Sequence, residues 1–197
     1  MVYHTKSSCT RMVNFFGHLL ALFISTLLIA HPSIGASIQE ICSTRHIPLI
    51  NASIVIVKSK YRLFFYLDGK YIKTYRIVLG KNPNGPKLYE GDNCTPEGIY
   101  RVKAKSNHER WSKFILLDYP NQEDLIRHRV ALKGGGIPKK NGQYVEIGGG
   151  IGIHGTHSKA LNQSGKNWTS GCISLLNQDI NEIFPYMTKG TVVYILP

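Results

Sequence analysis

The sequence predicts a mainly β domain, a sandwich or open barrel carrying one or two short helices. Three features carry this expectation. Short runs of β-branched and aromatic residues recur between turn signals, Asp68-Gly69 separates two of them as a tight hairpin turn does, and only one segment, close to the C terminus, has convincing helical character. At 197 residues the chain is sized for one domain, and 43% hydrophobic against 18% charged residues is a globular balance. The 19 glycines follow no three-residue period, which excludes a collagen-like chain.

Residues 1–36 read as an export signal. Lys6 and Arg11 are the only charged side chains before Glu40, and Leu19–Ala30 is a 12-residue apolar run broken only by Ser25 and Thr26. That length suits the h-region of a secretory signal, roughly 7–15 residues. It falls short of the about 20 that a spanning helix needs. Small residues at Ser33 and Gly35 place cleavage after Gly35 or Ala36. Phe15 and Phe16 could extend the run into an uncleaved anchor, the only membrane contact expected.

The formal net charge is +12, and loss of residues 1–36 leaves about +10. Such a surface favours anionic partners: nucleic acid, an acidic membrane face or an anionic polymer. Export and the lack of an arginine-rich or recognised binding motif argue against nucleic acid.

Residues 37–52 form a polar lead-in, with a short helix over Ile38–Ser43, and the domain proper is expected at 53–197. Ile54–Val57 is a continuous β-branched run, the pattern of a strand buried on both faces. Arg62–Leu67, the Asp68-Gly69 turn and Lys70–Leu79 form a hairpin. Gly80–Gly98 is loop, dense in Pro, Gly, Asn and Asp. Strands return at Ile99–Lys105, Phe114–Leu117, Tyr144–Ile147 and Thr191–Leu196. Glycine clusters at Gly134–Gly136 and Gly148–Gly150 flank Ile137–Ile147, as in a hinged flap or a long hairpin. The helix runs from Gln178 to about Met187, with Asn177 as N-cap, Asp179 and Glu182 near its positive end and Gly190 beyond it. Pro185 should kink or shorten it.

Cys9 leaves with the signal, so Cys42, Cys94 and Cys172 remain. An odd count in an oxidising compartment implies one pair and one free thiol. Cys42 and Cys94 are the expected disulfide, because the surroundings of Cys172 argue for reactivity.

A nucleophilic thiol needs a base, donors for an oxyanion and room for a substrate. His154 ends an apolar, strand-like run and precedes Gly155. Gly171 lets a substrate approach the backbone before Cys172, and Ser170-Gly171-Cys172 presents successive N–H groups. Three alternatives stay open: His154 as a structural histidine, Cys172 as a buried or bonded cysteine, or His154, His157 and Cys172 as a three-ligand zinc site. The zinc spacing fits no common pattern, and no carboxylate lies nearby to act as base.

His154-Gly155-Thr156, followed by Thr169-Ser170-Gly171-Cys172-Ile173-Ser174-Leu175-Leu176-Asn177-Gln178-Asp179, resembles the signature of the YkuD-type L,D-transpeptidase catalytic domain. Thr95-Pro96-Glu97-Gly98-Ile99-Tyr100 with Gly91-Asp92, the Ile54–Leu79 hairpin region and Gly190-Thr191-Val192-Val193 resemble further family elements, so the likeness covers about residues 53–197. It implies an enzyme of the cell envelope or periplasm that acts on peptidoglycan stem peptides without a metal or other cofactor. Cys172 is then the nucleophile, His154 the general base and Gly155 the residue whose carbonyl orients His154. Gly171, Ser170, Thr169, Trp168, Ser174 and Asn177 are the implied oxyanion or substrate-binding residues. Attack between the third and fourth stem residues would expel D-alanine, and an amine would resolve the thioester into a 3→3 cross-link.

Two departures stand out. Ser170 replaces a frequent histidine, and Ser174 replaces a frequent arginine that binds carboxylate; Lys87, Arg110 or Lys133 are its candidate substitutes. The Trp168-Thr169-x-Gly-Cys-Ile form looks like the YafK-like branch, which includes enzymes that hydrolyse, one of them releasing wall-linked lipoprotein. A carboxypeptidase or lipoprotein-releasing amidase is therefore an alternative, as is an inactive wall-binding module.

Overall fold

The strand runs of the sequence become one curled sheet. The computed structural model describes residues 35–197, so the expected signal lies outside the described residues except for Gly35 and Ala36. Among the described residues no helix is long and apolar enough to cross a membrane.

Helix α1 (Ile38–Thr44) opens with a capping box: Ser37 Oγ accepts from Glu40 N–H at 3.2 Å, and the Glu40 carboxylate accepts from Ser37 N–H at 2.7 Å. It buries Ile38, Ile41 and Cys42 in the main hydrophobic cluster, so the lead-in contributes to the core of the domain.

Strand β1 (Ser53–Val57) is followed by a 3-10 turn, β2 (Arg62–Leu67) and β3 (Lys70–Arg76). Asp68 and Gly69 both take positive φ, 46° and 68°, which closes the β2–β3 hairpin as expected. Only Ile54 and Ile56 of β1 are buried, whereas Val55 and Val57 are half-buried. The strand thus has one fully covered face rather than two; an unbroken β-branched run does not by itself distinguish these cases.

Strands β4 (Gly98–His108) and β5 (Ser112–Leu117) precede α2 (Gln122–Lys133), the two-residue strands β6 (Lys139–Lys140) and β7 (Gln143–Tyr144), and β8 (Gly152–His154). Then come α3 (Lys159–Ser164), β9 (Ile173–Ser174), α4 (Asn177–Ile183), a 3-10 turn and β10 (Val192–Leu196). The large sheet runs β3-β2-β1-β10-β4-β5-β8-β9. The β1–β10 and β8–β9 pairs are parallel and the others antiparallel. Beyond β3 the chain meets β9, where Val78 and Ser174 exchange backbone bonds of 3.0 and 2.9 Å. This isolated bridge draws the two ends of the strand order toward each other, so the sheet curls into the expected barrel-like form.

Inside lie Ile54, Ile56, Leu63, Phe65, Tyr100, Ile115, Ile153, Ile173 and Val193. Each such side chain contributes about 1.5–3 kcal/mol by leaving water. Helix α4 closes one end with Ile180 and Ile183. It stops at Ile183, and Pro185 sits in the following 3-10 turn, as its fixed φ and missing N–H dictate.

Several expectations are corrected. Leu176, not Asn177, occupies the N-cap of α4, and Asn177 turns its side chain to Thr156 instead. Helix α2 was not foreseen. Its start is a capping box between Asn121 and Asp124, but Leu125, Ile126 and Val130 are exposed, so no buried apolar stripe announces it. Helix α3 is short and lacks a side-chain cap. Residues 137–147 hold the β6–β7 hairpin, turned by Asn141 and Gly142, and the expected strand Tyr144–Ile147 shrinks to β7. Cys42 and Cys94 are separate buried free thiols rather than a disulfide. Cys42 packs in the core from α1, while Cys94 Sγ points to the Asn84 and Asp92 carbonyls at 3.5 and 3.6 Å.

Candidate active site

The pairing of β5, β8 and β9 sets the site. Phe114 pairs with His154, and His154 pairs with Ser174 across the parallel β8–β9 ladder. Cys172 directly precedes β9 and is half-buried, with Sγ 3.7 Å from the Gly150 carbonyl. His154 therefore ends β8 beside the strand that Cys172 leads into.

His154 is 1% exposed, and its Nδ1 lies 2.6 Å from the Gly155 carbonyl oxygen. A carbonyl only accepts, so Nδ1 carries the proton and Nε2 keeps a free lone pair. Burial pushes the imidazole down to about 4, against the pull of the Gly155 bond, and the nearby charges of His108 and His157 lower it further. Burial pushes the Cys172 thiol up, while a backbone hydrogen bond with Gly152 and the Lys87 ammonium act the other way. At neutral pH the resting pair is thus imidazole and thiol.

The imidazole is walled by aromatic rings. Trp111 stacks on it with centroids 4.3 Å apart, and His108 stacks on Trp111 at the same separation. Phe114 lies at 5.9 Å and Trp168 approaches edge-on at 5.6 Å. His108, Trp111 and Phe114 escaped the sequence reading, because they come from β4, β5 and the turn between them, some forty residues before His154.

The residues around Cys172 divide by role. Thr169 is buried; its Oγ1 donates to the Cys172 carbonyl at 2.6 Å and accepts the Gly171 N–H at 3.2 Å. The Gly171 amide is therefore committed to the loop and does not face a substrate. Gly171 itself is required by its φ of +135° and by the Cys94 carbonyl, which a Cβ would meet at 2.7 Å. Ser170 is exposed beside it. Trp168 Nε1 donates to Asn162 Oδ1 at 3.0 Å.

Ser174 is closed off from any substrate, whereas Asn177 is exposed but has its side-chain oxygen engaged. Ser174 is fully buried; its Oγ donates to the Gly155 carbonyl at 2.9 Å and accepts from Asn162 Nδ2 at 3.1 Å. Asn177 Oδ1 accepts the Thr156 N–H at 2.7 Å. Both bonds hold the peptide unit behind His154. Gly155 leaves room for them: a Cβ there would come within 2.3 Å of both Asn177 Oδ1 and the Trp111 carbonyl.

Of the candidate cations, Lys87 is buried and bound to Asp92 Oδ1 at 2.8 Å and the Tyr89 carbonyl at 3.0 Å, while Arg110 and Lys133 are exposed. Among the described residues no three His, Cys, Asp or Glu side chains gather as a metal site. Of the residues in the zinc alternative, His154 Nδ1 is bound to the Gly155 carbonyl, and exposed His157 stands edge-on to Trp168.

Comparison with known proteins agrees with this layout. The family model of the YkuD L,D-transpeptidase catalytic domain matches residues 51–195. The putative L,D-transpeptidase YafK of Escherichia coli is 27% identical over 123 residues, covering 61% of this chain and 39% of that protein. The probable L,D-transpeptidase YcfS of Escherichia coli is 27% identical over 188 residues, covering 86% and 54%. The chain thus spans about half or less of the curated relatives it matches. Among solved structures, the helical cell shape determining protein Pgp2 of Campylobacter jejuni superposes with a TM-score of 0.51 at 25% identity, over 73% of this chain and 46% of that one. Bdellovibrio bacteriovorus Bd1075 shares the fold, with a TM-score of 0.53 at 19% identity over 75% of this chain and 48% of its own. The match of the family model across most of the chain, with β8 and β9 side by side, makes this protein a member of the YkuD family of L,D-transpeptidase catalytic domains.

Proposed function

We propose that the chain is an exported cysteine L,D-transpeptidase that remodels peptidoglycan through an acyl-enzyme on Cys172. Residues 1–36 direct export to the periplasm or cell envelope, and residues 37–197 form the working enzyme. The observation that carries this reading is the His154 imidazole, held through Nδ1 by Gly155 on the strand beside Cys172.

In the reaction, His154 Nε2 takes the Cys172 proton as sulfur attacks the carbonyl carbon of the third stem residue. The oxyanion is met by the N–H groups of Cys172 and Ser170, because the Gly171 N–H is spent on Thr169. Collapse breaks the amide bond; the leaving D-alanine nitrogen takes its proton from His154, and a thioester remains. An acceptor amine then gives a proton to His154, attacks the thioester and returns the thiol, forming the new amide. A net charge of about +10 suits stem peptides with their free carboxylates.

Purified muropeptides incubated with the protein and analysed by mass spectrometry test the reading, with Cys172→Ala as control. Dimers lacking one D-alanine and dependent on Cys172 support cross-linking. Tripeptides or released lipoprotein stubs without dimers would instead make the protein a hydrolase of the same fold, and no conversion at all would make it a wall-binding module.

A further inference from the structure

One peptide unit, between Gly155 and Thr156, is pinned from both sides. At its oxygen, the Gly155 carbonyl accepts from His154 Nδ1 at 2.6 Å and from Ser174 Oγ at 2.9 Å. At its nitrogen, the Thr156 N–H donates to Asn177 Oδ1 at 2.7 Å. A peptide unit is rigid and planar, so fixing its N–H direction fixes its carbonyl direction too.

The Ser174 hydroxyl is aimed by a further chain of donors. Trp168 Nε1 can only donate, and it does so to Asn162 Oδ1 at 3.0 Å. That orientation turns Asn162 Nδ2 toward Ser174 Oγ, 3.1 Å away, which leaves the serine proton for the Gly155 carbonyl. Asn162 and Ser174 are both buried, so each bond is made without competing water.

We infer that Ser174 and Asn177 are positioning residues that clamp the Gly155–Thr156 peptide, with Asn162 and Trp168 setting the direction of the Ser174 hydroxyl, so that His154 keeps its proton on Nδ1 and turns Nε2 to Cys172. The inference rests on His154 being the base, as proposed above. It gives Ser174, which stands where many relatives carry arginine, a task unrelated to stem carboxylates. It also gives Gly155 a steric reason, since any side chain would displace Asn177 Oδ1.

Alkylation of Cys172 by iodoacetamide tests this, because sulfur displaces iodide from a small neutral reagent that needs no stem-peptide pocket. The rate is followed against pH on the full chain, beside KM and kcat on a stem peptide. Cys42 and Cys94 are replaced by Ala, or their labelling is separated by peptide mapping. The titratable neighbours of the pair, His108, His157 and Lys87, stay in place in every variant. Ser174→Ala and Asn177→Leu are expected to slow alkylation at pH 7 about tenfold and move the pH midpoint upward, with kcat falling more than KM rises. Asn177→Asp, which still accepts the Thr156 N–H, should restore most of the rate. Asn177 is exposed, so its variants test the clamp even if Ser174→Ala does not fold. Unchanged rates and midpoints in Asn177→Leu, with His154→Ala slowed, would overturn the clamp alone. Unchanged rates in His154→Ala would overturn the general-base reading and the clamp with it.

Discussion

The imidazole of His154 and the hydroxyl of Ser174 converge on one oxygen, the Gly155 carbonyl, at 2.6 and 2.9 Å. Two donors on one carbonyl use both of its lone pairs, so neither has a reason to turn away. This fixes the tautomer of a histidine whose pKa is pushed down to about 4 by burial. Burial also raises the Cys172 thiol, so the proposed mechanism has its proton move as the substrate is attacked.

The nucleophile assignment predicts a clean separation of activity from stability. Cys172→Ala should abolish turnover while changing unfolding free energy by less than about 1 kcal/mol, because the side chain is half-buried and removes little packing. Turnover and chemical denaturation of the same preparation check this. Residual turnover above the uncatalysed rate would remove Cys172 from the mechanism.

A second prediction concerns pH. A histidine in the unfolded chain takes its proton near 6.5, whereas His154 in the fold does so only near 4. Between those values the unfolded state binds more protons, so stability rises with pH across that window, by about 3 kcal/mol in all. It is complete above about 6.5 and is lost as pH falls toward 4. Denaturation of the native protein and of His154→Phe at pH 4.5 and 7 isolates the effect, since other groups are common to both. An equal gap between the two proteins at both pH values would contradict it.

The Lys87–Asp92 pair offers a third. Both side chains are nearly inaccessible, at 4% and 6% exposure. Burial would raise the Asp92 carboxyl, yet its bonds from Lys87 and the N–H groups of Cys94, Leu88 and Tyr89 hold it below its ordinary value. Lys87→Met strands that carboxylate and should cost about 3–5 kcal/mol. It also removes a charge that lowers the Cys172 thiol, so the pH midpoint of alkylation should rise. A loss below 1 kcal/mol with an unmoved midpoint would show that the lysine does neither.

Gly155→Ala probes the tight approach behind His154. The new methyl would meet Asn177 Oδ1 and the Trp111 carbonyl at 2.3 Å, far inside contact distance. A stability loss of about 1–3 kcal/mol is expected from overpacking, together with slower Cys172 alkylation. Calorimetry and the alkylation rate check both, and native behaviour in each would mean the backbone relaxes freely there.

Much of the frame was legible because its signals are local. The Asp68-Gly69 turn needs two residues with positive φ, and the apolar, aromatic runs on either side of it mark the two arms of a hairpin; both survive in the structure. His154 and Cys172 were singled out from the residues beside them, and the fold brings their segments to neighbouring positions. Helix α2 was not, since it sits outside with Leu125, Ile126 and Val130 exposed and leaves no apolar period. Its one local trace was the Asn121-x-x-Asp124 cap. The hydrogen bonds of Ser174, Asn177 and Asn162 were not legible because their partners lie 12 to 21 residues away in sequence. Only the pairing of β8 with β9 brings them together. The disulfide expectation failed for a similar reason, since an odd cysteine count says nothing about which thiols the fold sets apart.

The most direct test is the intact mass of the protein after a brief incubation with a synthetic stem tetrapeptide and an acid quench. The expected result is an added mass equal to the tetrapeptide less D-alanine, mapped to the peptide containing Cys172 and absent from Cys172→Ala. Product formation with no such adduct under any quench time, or the same adduct on Cys172→Ala, would contradict the acyl-enzyme at Cys172.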